Sequence, residues 1–285
     1  MELLSTLHPA SFIEEFTSTF TSTNTRKSYK CDLKIFTDFL QQKGSENQWL
    51  NFNQQGSLEY LDFLEKRTSS HNSKRRKIQS IRSFFDFLIK KNILHFNPLK
   101  ELPSFKKVLY LPNPPTYSDI CHFFTLIHQS DSIYKERNLL LFLFIYELGL
   151  QLQDFKNLTI HHLSEEYLTF VQKSYIRSIP IPPYLHNFIK KIMKKNFSYI
   201  FYTGNPYTLY DEPLTARSIE IIFKQYSDMF KIKITPKTLR QACITKWIYE
   251  KKSPSTICSY LGLKDKNIIQ NYSVNSYYPL DKISL

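Results

Sequence analysis

Glycine is scarce in this chain, 5 in 285 residues, and the sequence holds no internal repeat and no low-complexity tract. Solenoid and fibrous architectures are thereby excluded, and the accompanying wealth of Lys, Asn, Ile, Phe and Tyr matches the codon bias of an AT-rich genome. The four cysteines (Cys31, Cys121, Cys243 and Cys258) are scattered without a C-x-x-C pair. That spacing argues against a structural zinc site and a disulfide framework and predicts a reducing, cytoplasmic setting. His161 and His162 are adjacent and lack helical ligand spacing, so no metal is assigned and no cofactor is expected. No apolar run approaches the ~20 residues needed to cross a bilayer, so no membrane partner is expected. The opening Met1-Glu2-Leu3-Leu4 lacks a basic region before an apolar one, which predicts no secretory signal.

What the chain does have is positive charge, a formal net of +13. A balance of this size favours a polyanionic partner, since each neutralised phosphate releases counterions. A merely solvated basic surface is the plainer alternative. Hydrophobic residues make up 42% and aromatics 15%, enough for two ordinary domains with real cores.

Apolar periodicity predicts helices through the first ~105 residues. Tyr29, Leu33, Phe36 and Leu40 recur at helical spacing. Leu58, Leu61, Phe63 and Leu64 suggest a shorter helix after Gly56-Ser57. Ile78, Ile81, Phe85, Leu88 and Ile89 line a third, whose first turn carries Lys74, Arg75, Arg76 and Lys77. These four cations suit a DNA backbone or, equally, a solvated helix face. Asn97-Pro98 stops the region, and Pro112, Pro114 and Pro115 stiffen the segment beyond it. The predicted organisation is residues 1–105, a linker at 106–116, and a second domain at 117–285.

In the second domain the spacing predicts helices at Tyr117–Gln129, at Arg137–Leu148 (apolar almost all round, hence central), at Pro183–Lys195, Thr215–Phe230, Lys237–Lys251 and Pro254–Leu261, and near Lys266–Tyr272. Tyr167–Val171 and Ser178–Ile181 read as two strands joined by Gln172 to Arg177. Lys173 and Arg177 are thus placed on a hairpin turn, where a lysine can reach a groove or protonate a leaving oxygen, or simply be solvated. Thr235-Pro236 reads as a helix start. It sets Lys237 and Arg240 three residues apart on one face, which suits a phosphate or is an ordinary basic first turn. Tyr272 is one of 19 tyrosines, and alone it reads as a packing residue.

Taken in order, these pieces resemble the tyrosine recombinase, or phage integrase, family over nearly the whole length. The resemblance is carried by Thr25-Arg26-Lys27-Ser28-Tyr29 through Phe39-Leu40, by Ile81 to Leu88 with Asn97-Pro98, by Arg137-Asn138 to Gly149-Leu150, and by Leu261-Gly262 to Tyr272. It implies a mainly α fold with a small β-sheet in the second domain: a helical, SAM-like core-binding domain plus a mixed α/β catalytic domain, together C-shaped around duplex DNA. It also implies that a tyrosine attacks a phosphodiester to form a 3′-phosphotyrosyl bond, without metal or nucleotide. Two arginines clamp the phosphate, a hairpin lysine is the general acid, and two histidine-like positions assist.

Carried onto this sequence, Tyr272 falls at the nucleophile, Arg240 at the second arginine and Lys173 at the hairpin lysine. Lys237 stands at a histidine position, keeping a cation and a proton donor. DNA contacts are implied for Lys74, Arg75, Arg76, Lys77 and Arg177. Two positions depart from the pattern. Gln151 follows Gly149-Leu150 where the first arginine is expected, and Leu263 follows Leu261-Gly262 where histidine or tryptophan is usual. Losing one preorganised phosphate clamp costs on the order of 3–4 kcal/mol, ~10²–10³ in rate. No arginine lies between Arg137 and Arg177 to replace it. The resemblance therefore leaves two expectations. One is a site-specific recombinase or integrase, of plasmid or mobile-element type, acting on double-stranded DNA as a homo- or hetero-oligomer, its activity reduced by Gln151 and Leu263 or assisted by a partner protomer or another residue that supplies the missing charge. The other is a catalytically inactive relative acting as an accessory or regulatory DNA-binding protein.

Overall fold

A computed structural model describes residues 9–44, 49–103, 105–106, 108, 112–172, 175–192, 198–203, 212–263 and 265–273. The chain forms two compact units, Met1–Tyr110 and Leu111–Leu285.

The first unit is helical: α1 (Pro9–Ser18), α2 (Thr23–Gln42), α3 (Gln54–Arg67) and α4 (His71–Lys90). Local chemistry sets the starts. Ser22 accepts from Thr25 N ahead of α2, and Asn53 Oδ1 accepts from Gly56 N at 2.9 Å ahead of α3. The predicted stripes of α2 and α4 meet in one core, with Leu33, Phe36 and Leu40 of α2 against Ile78, Ile81, Phe85 and Leu88 of α4, all buried. The stripe predicted for α3 is corrected, since Leu58 is exposed, Leu61 and Phe63 are half-buried, and Tyr60 joins Leu64 in the core. Phe36 sits edge-on to Phe52 and Tyr60 at ring separations of 5.0 and 5.2 Å. Helix α1, not singled out in the sequence, closes this core through Phe16, whose ring lies 5.5 Å from that of Phe84. One charge is built into the unit: Asp32 is fully buried, accepts from Ser80 Oγ at 2.8 Å, and pairs with Arg76.

The second unit is organised on α6 (Lys135–Leu148), buried on all sides as its all-round apolar sequence predicts. Helix α5 (Tyr117–Gln129) precedes it, opened by a reciprocal cap between Thr116 and Asp119. Each fully buried Leu or Phe of α6 stabilises the fold by roughly 1.5–3 kcal/mol relative to exposure. The point where this helix ends is therefore firmly fixed. It ends at Gly149, in the left-handed region with φ 62°. A Cβ there would lie 3.0 Å from Trp247 Cη2 and 3.1 Å from Leu261 Cδ2, so only glycine fits both the turn and the packing. Beyond it, Leu150-Gln151 leads into the short α7 (Leu152–Phe155).

Strands β1 (Tyr167–Gln172) and β2 (Tyr175–Pro180) form an antiparallel hairpin with Phe170 opposite Arg177 and Val171 opposite Ile176. This corrects the predicted strand bounds. β2 begins three residues earlier than the sequence suggested, so Arg177 belongs to the strand and not to the turn. The remaining helices are α8 (Pro183–Ile192), α9 (Ala216–Phe230), α10 (Pro236–Tyr249), α11 (Pro254–Leu261) and α12 (Asn267–Ser273). Helices α5, α8 and α10 pack on α6, and α11 and α12 pack on α10. Among the described residues no helix is long and apolar enough to cross a membrane.

Candidate active site

The site is assembled on α10. Thr235 caps this helix, accepting from Thr238 N at 3.1 Å while its own N–H donates to Thr238 Oγ1 at 2.9 Å, and Pro236 opens the first turn. One turn on, Arg240 leaves the helix and Nη1 donates to Gln151 Oε1 at 3.1 Å. The two residues are 89 positions apart in sequence. Burial draws the Arg240 guanidinium below its usual range, an effect opposed by the nearby Asp154 carboxylate and reinforced by Arg177. A guanidinium this basic stays charged nonetheless. Arg240 is thus a partly desolvated cation, which strengthens any contact it makes with an anion.

Tyr272, on α12, comes to the same place. Its ring packs beside a small apolar cluster that includes Cys243, Trp247, Ile257 and Ile269. Burial raises the phenol above its ordinary range, while the field of Arg240 pulls it down. The hydroxyl is neutral at physiological pH, and Arg240 is near enough for its charge to favour the ionised form.

Beneath these groups lies an ion pair that the sequence did not disclose. Arg177 Nη1 bonds Asp154 Oδ2 at 3.0 Å, with the two side chains 2% and 8% exposed. The same oxygen accepts from Gln151 N at 2.9 Å. Arg177 Nε donates to Tyr260 O of α11, its guanidinium lies 5.1 Å from the centre of the Phe170 ring, and Nη2 is buried without a hydrogen-bond partner among the described residues. Arg177 is therefore not the solvated turn charge its predicted placement implied. Side chains alternate along β2, so residue 177 faces inward with Ile179 while Ile176 and Ser178 face out. Arg177 reaches the neighbourhood of position 151 through Asp154, but as the buried partner of that carboxylate. Asp154 was missed outright, although Gln151-Leu152-Gln153-Asp154 carries the signal of an acidic residue three positions into a helix start.

Other sequence-predicted residues fall elsewhere. Lys237 is exposed on the first turn of α10 and lines a cleft of about 380 Å³ with Leu152, Lys224 and Lys233. Leu263 follows Gly262, which ends α11 with φ 67°, and packs half-buried against the same apolar cluster as Tyr272. It serves packing where a polar residue was expected. Lys173 lies outside the described residues, as does the tail from residue 274. In the first unit the basic run is partly engaged within the chain. Lys74 lies 3.9 Å from Glu65, Arg75 Nε donates to Phe105 O at 3.0 Å, and Arg76 pairs with Asp32. Arg75 and Arg76 remain exposed, while Lys77 is half-buried. Among the described residues no cluster of three His, Cys, Asp or Glu side chains is placed to hold a metal ion.

Comparison with known proteins bears on this arrangement. Residues 11–92 match the family model described as phage integrase, N-terminal SAM-like domain, and residues 122–278 match that of the phage integrase family. Among curated proteins none matches this sequence. Solved structures with the same fold include the Tn1549 transposon integrase in complex with transposon right end DNA (TM-score 0.72, 13% identity, 95% of this chain and 94% of that one). They also include a lambda integrase dimer bound to a COC' core site (TM-score 0.73, 13% identity, 98% and 81%). A third is the XerH site-specific recombinase bound to a palindromic difH substrate (TM-score 0.69, 15% identity, 87% and 76%). At these identities the likeness is one of fold. The family model for the catalytic domain nevertheless spans more than half of the sequence and runs over every element that gathers Tyr272, Arg240 and Gln151, and on that ground this chain belongs to the phage integrase family.

Proposed function

We propose that this chain is a site-specific tyrosine recombinase that binds duplex DNA and cleaves it through Tyr272. The observation that carries the reading is the convergence of Tyr272, Arg240 and Gln151 from α12, α10 and the start of α7, over a buried ion pair that fixes the floor of the site. Residues 1–105 act as the core-binding domain, 106–116 as the connecting segment and 117–285 as the catalytic domain.

In the proposed reaction Tyr272 Oη bonds to the scissile phosphorus and the bond to the 5′ oxygen of the next nucleotide breaks. The phenol loses its proton to water, and the departing oxygen takes one from Lys173, leaving a 3′-phosphotyrosyl bond and a free 5′-hydroxyl. Arg240 holds a non-bridging oxygen and stabilises charge as it builds in the transition state. Lys237, exposed at the helix start, adds a cation to the phosphate's surroundings. The covalent bond keeps the energy of the phosphodiester, so rejoining needs no nucleotide. Exchange between two duplexes requires several copies on DNA, hence assembly as a homo- or hetero-oligomer. Net charge of +13 favours the backbone contacts this requires.

One observation favours a second reading, a binding-only relative. Gln151 brings no formal charge to the position where a second clamp is expected. A nicked suicide duplex carrying the sequence that flanks this gene decides between the two. The recombinase reading expects a protein–DNA adduct that survives denaturant and disappears in Tyr272→Phe. Duplex binding with no adduct establishes the binding-only reading.

A further inference from the structure

We infer that Gln151 is a neutral phosphate donor held in position by Arg240, so that the site lacks a charge at this position but not a hydrogen-bond clamp; this rests on the recombinase reading above. Donor and acceptor chemistry fixes the orientation of the amide. Arg240 Nη1 meets the Gln151 side chain at 3.1 Å. A guanidinium offers only donors, so the amide atom facing it must be the oxygen, and the flipped orientation would set N–H against N–H. With Oε1 committed to Arg240, Nε2 is turned away from it. Its two hydrogens have no acceptor among the described residues, and Gln151 is exposed, so they are open to a ligand.

The backbone that carries this side chain is also held. Gln151 N donates to Asp154 Oδ2 at 2.9 Å, and that carboxylate is anchored by buried Arg177. Gly149 fixes the preceding turn against Trp247 and Leu261. The amide is therefore oriented before anything binds, and preorganisation of this kind makes a neutral donor effective at a developing charge. The ligand chemistry is set by the pairing. Arg240, partly buried and one hydrogen bond from the same amide, lends its positive field to any oxygen that Nε2 takes, which suits an anionic oxygen with a second oxygen close by. A phosphodiester with its two non-bridging oxygens fits. Position 151 is thus a positioning and binding residue in its own right, contributing two N–H donors where a second guanidinium would contribute a charge.

Gln151→Glu tests this directly. It keeps the size of the side chain and the acceptor facing Arg240, and it replaces only the outward donor, by an anionic oxygen. On the nicked duplex at saturating DNA, adduct formation should fall by ~10²–10³-fold while thermal stability holds or rises. The new carboxylate also offsets part of the Arg240 charge and repels a phosphate, so a fall in rate supports the inference only together with the amide shift described next, whereas a rate within about threefold of the parent overturns it. A second measurement is independent of cleavage. In Tyr272→Phe protein labelled with ¹⁵N-glutamine, the side-chain amide pair that vanishes on adding Gln151→Glu belongs to Gln151. It should move downfield when the duplex is added, and a bound complex in which it does not move overturns the donor role whatever the adduct assay gives. A shifted amide in a protein that forms no adduct supports the donor role and refutes strand cleavage alone. Failure to bind duplex at all refutes both.

Discussion

Removing either partner of the Arg177–Asp154 pair should unfold the second unit far more readily than any surface substitution. The side chains are 2% and 8% exposed, so water cannot screen the charge left behind. Breaking a buried pair on one side costs about 3–5 kcal/mol. Asp154→Asn would also weaken the acceptor that Gln151 N uses, adding about 1 kcal/mol. Against a domain stability of roughly 5–15 kcal/mol this is a large fraction. The double replacement Arg177→Met with Asp154→Leu leaves no buried charge, and should cost about 2–4 kcal/mol less than the sum of the two single replacements. Trp49 lies in the first unit and Trp247 in the second, so urea unfolding followed by fluorescence in a Trp49→Phe background reports the second unit alone. Asp154→Asn costing under about 1 kcal/mol, or strict additivity in the double replacement, would refute the buried-pair argument.

Gly149→Ala should destabilise the same transition by about 2 kcal/mol or more, since alanine must hold a left-handed φ with its Cβ 3.0 Å from Trp247. In the first unit, Arg76→Ala leaves fully buried Asp32 without its cation; Trp49 fluorescence should show a loss of about 2–4 kcal/mol, with Trp247 unaffected. Alkaline pH should weaken both units. Burial raises the Cys243 thiol and the Tyr60 phenol, so both stay protonated in the fold while the unfolded chain releases protons above about pH 8.5 and pH 10 respectively. Stability is full below those values and falls as pH rises past them, measurable as a declining urea midpoint that Cys243→Ala partly flattens.

The first unit was largely legible from periodicity. The stripe through Leu33, Phe36 and Leu40 and that through Ile78, Ile81, Phe85 and Leu88 are buried as the spacing requires, because a 3.6-residue repeat has one way to hide its apolar face. Helix α6 was legible for the opposite reason: with no polar face it can only be central. The start of α10 followed from Thr235-Pro236, whose capping chemistry is local, while the Thr116 cap of α5 is equally local but went unread. Helix α1 was less visible, since its place depends on Phe16 finding Phe84, a contact the local pattern does not encode.

In the candidate site the division is sharper. Residue type and spacing along the chain were enough to establish the order of Gly149-Leu150, Thr235-Pro236 to Arg240 and Leu261-Gly262 to Tyr272, along with the absence of a charge at position 151. Folding was needed to show that Gln151 presents its carbonyl to Arg240, that Leu263 packs with the cluster under Tyr272, and that Arg177 lies buried on Asp154. Those contacts join residues that are far apart in sequence. They depend on where a glycine turn ends α6 and on which face of a two-stranded hairpin a side chain takes, and a strand starting three residues earlier than predicted moves an arginine from the surface to the floor of the site.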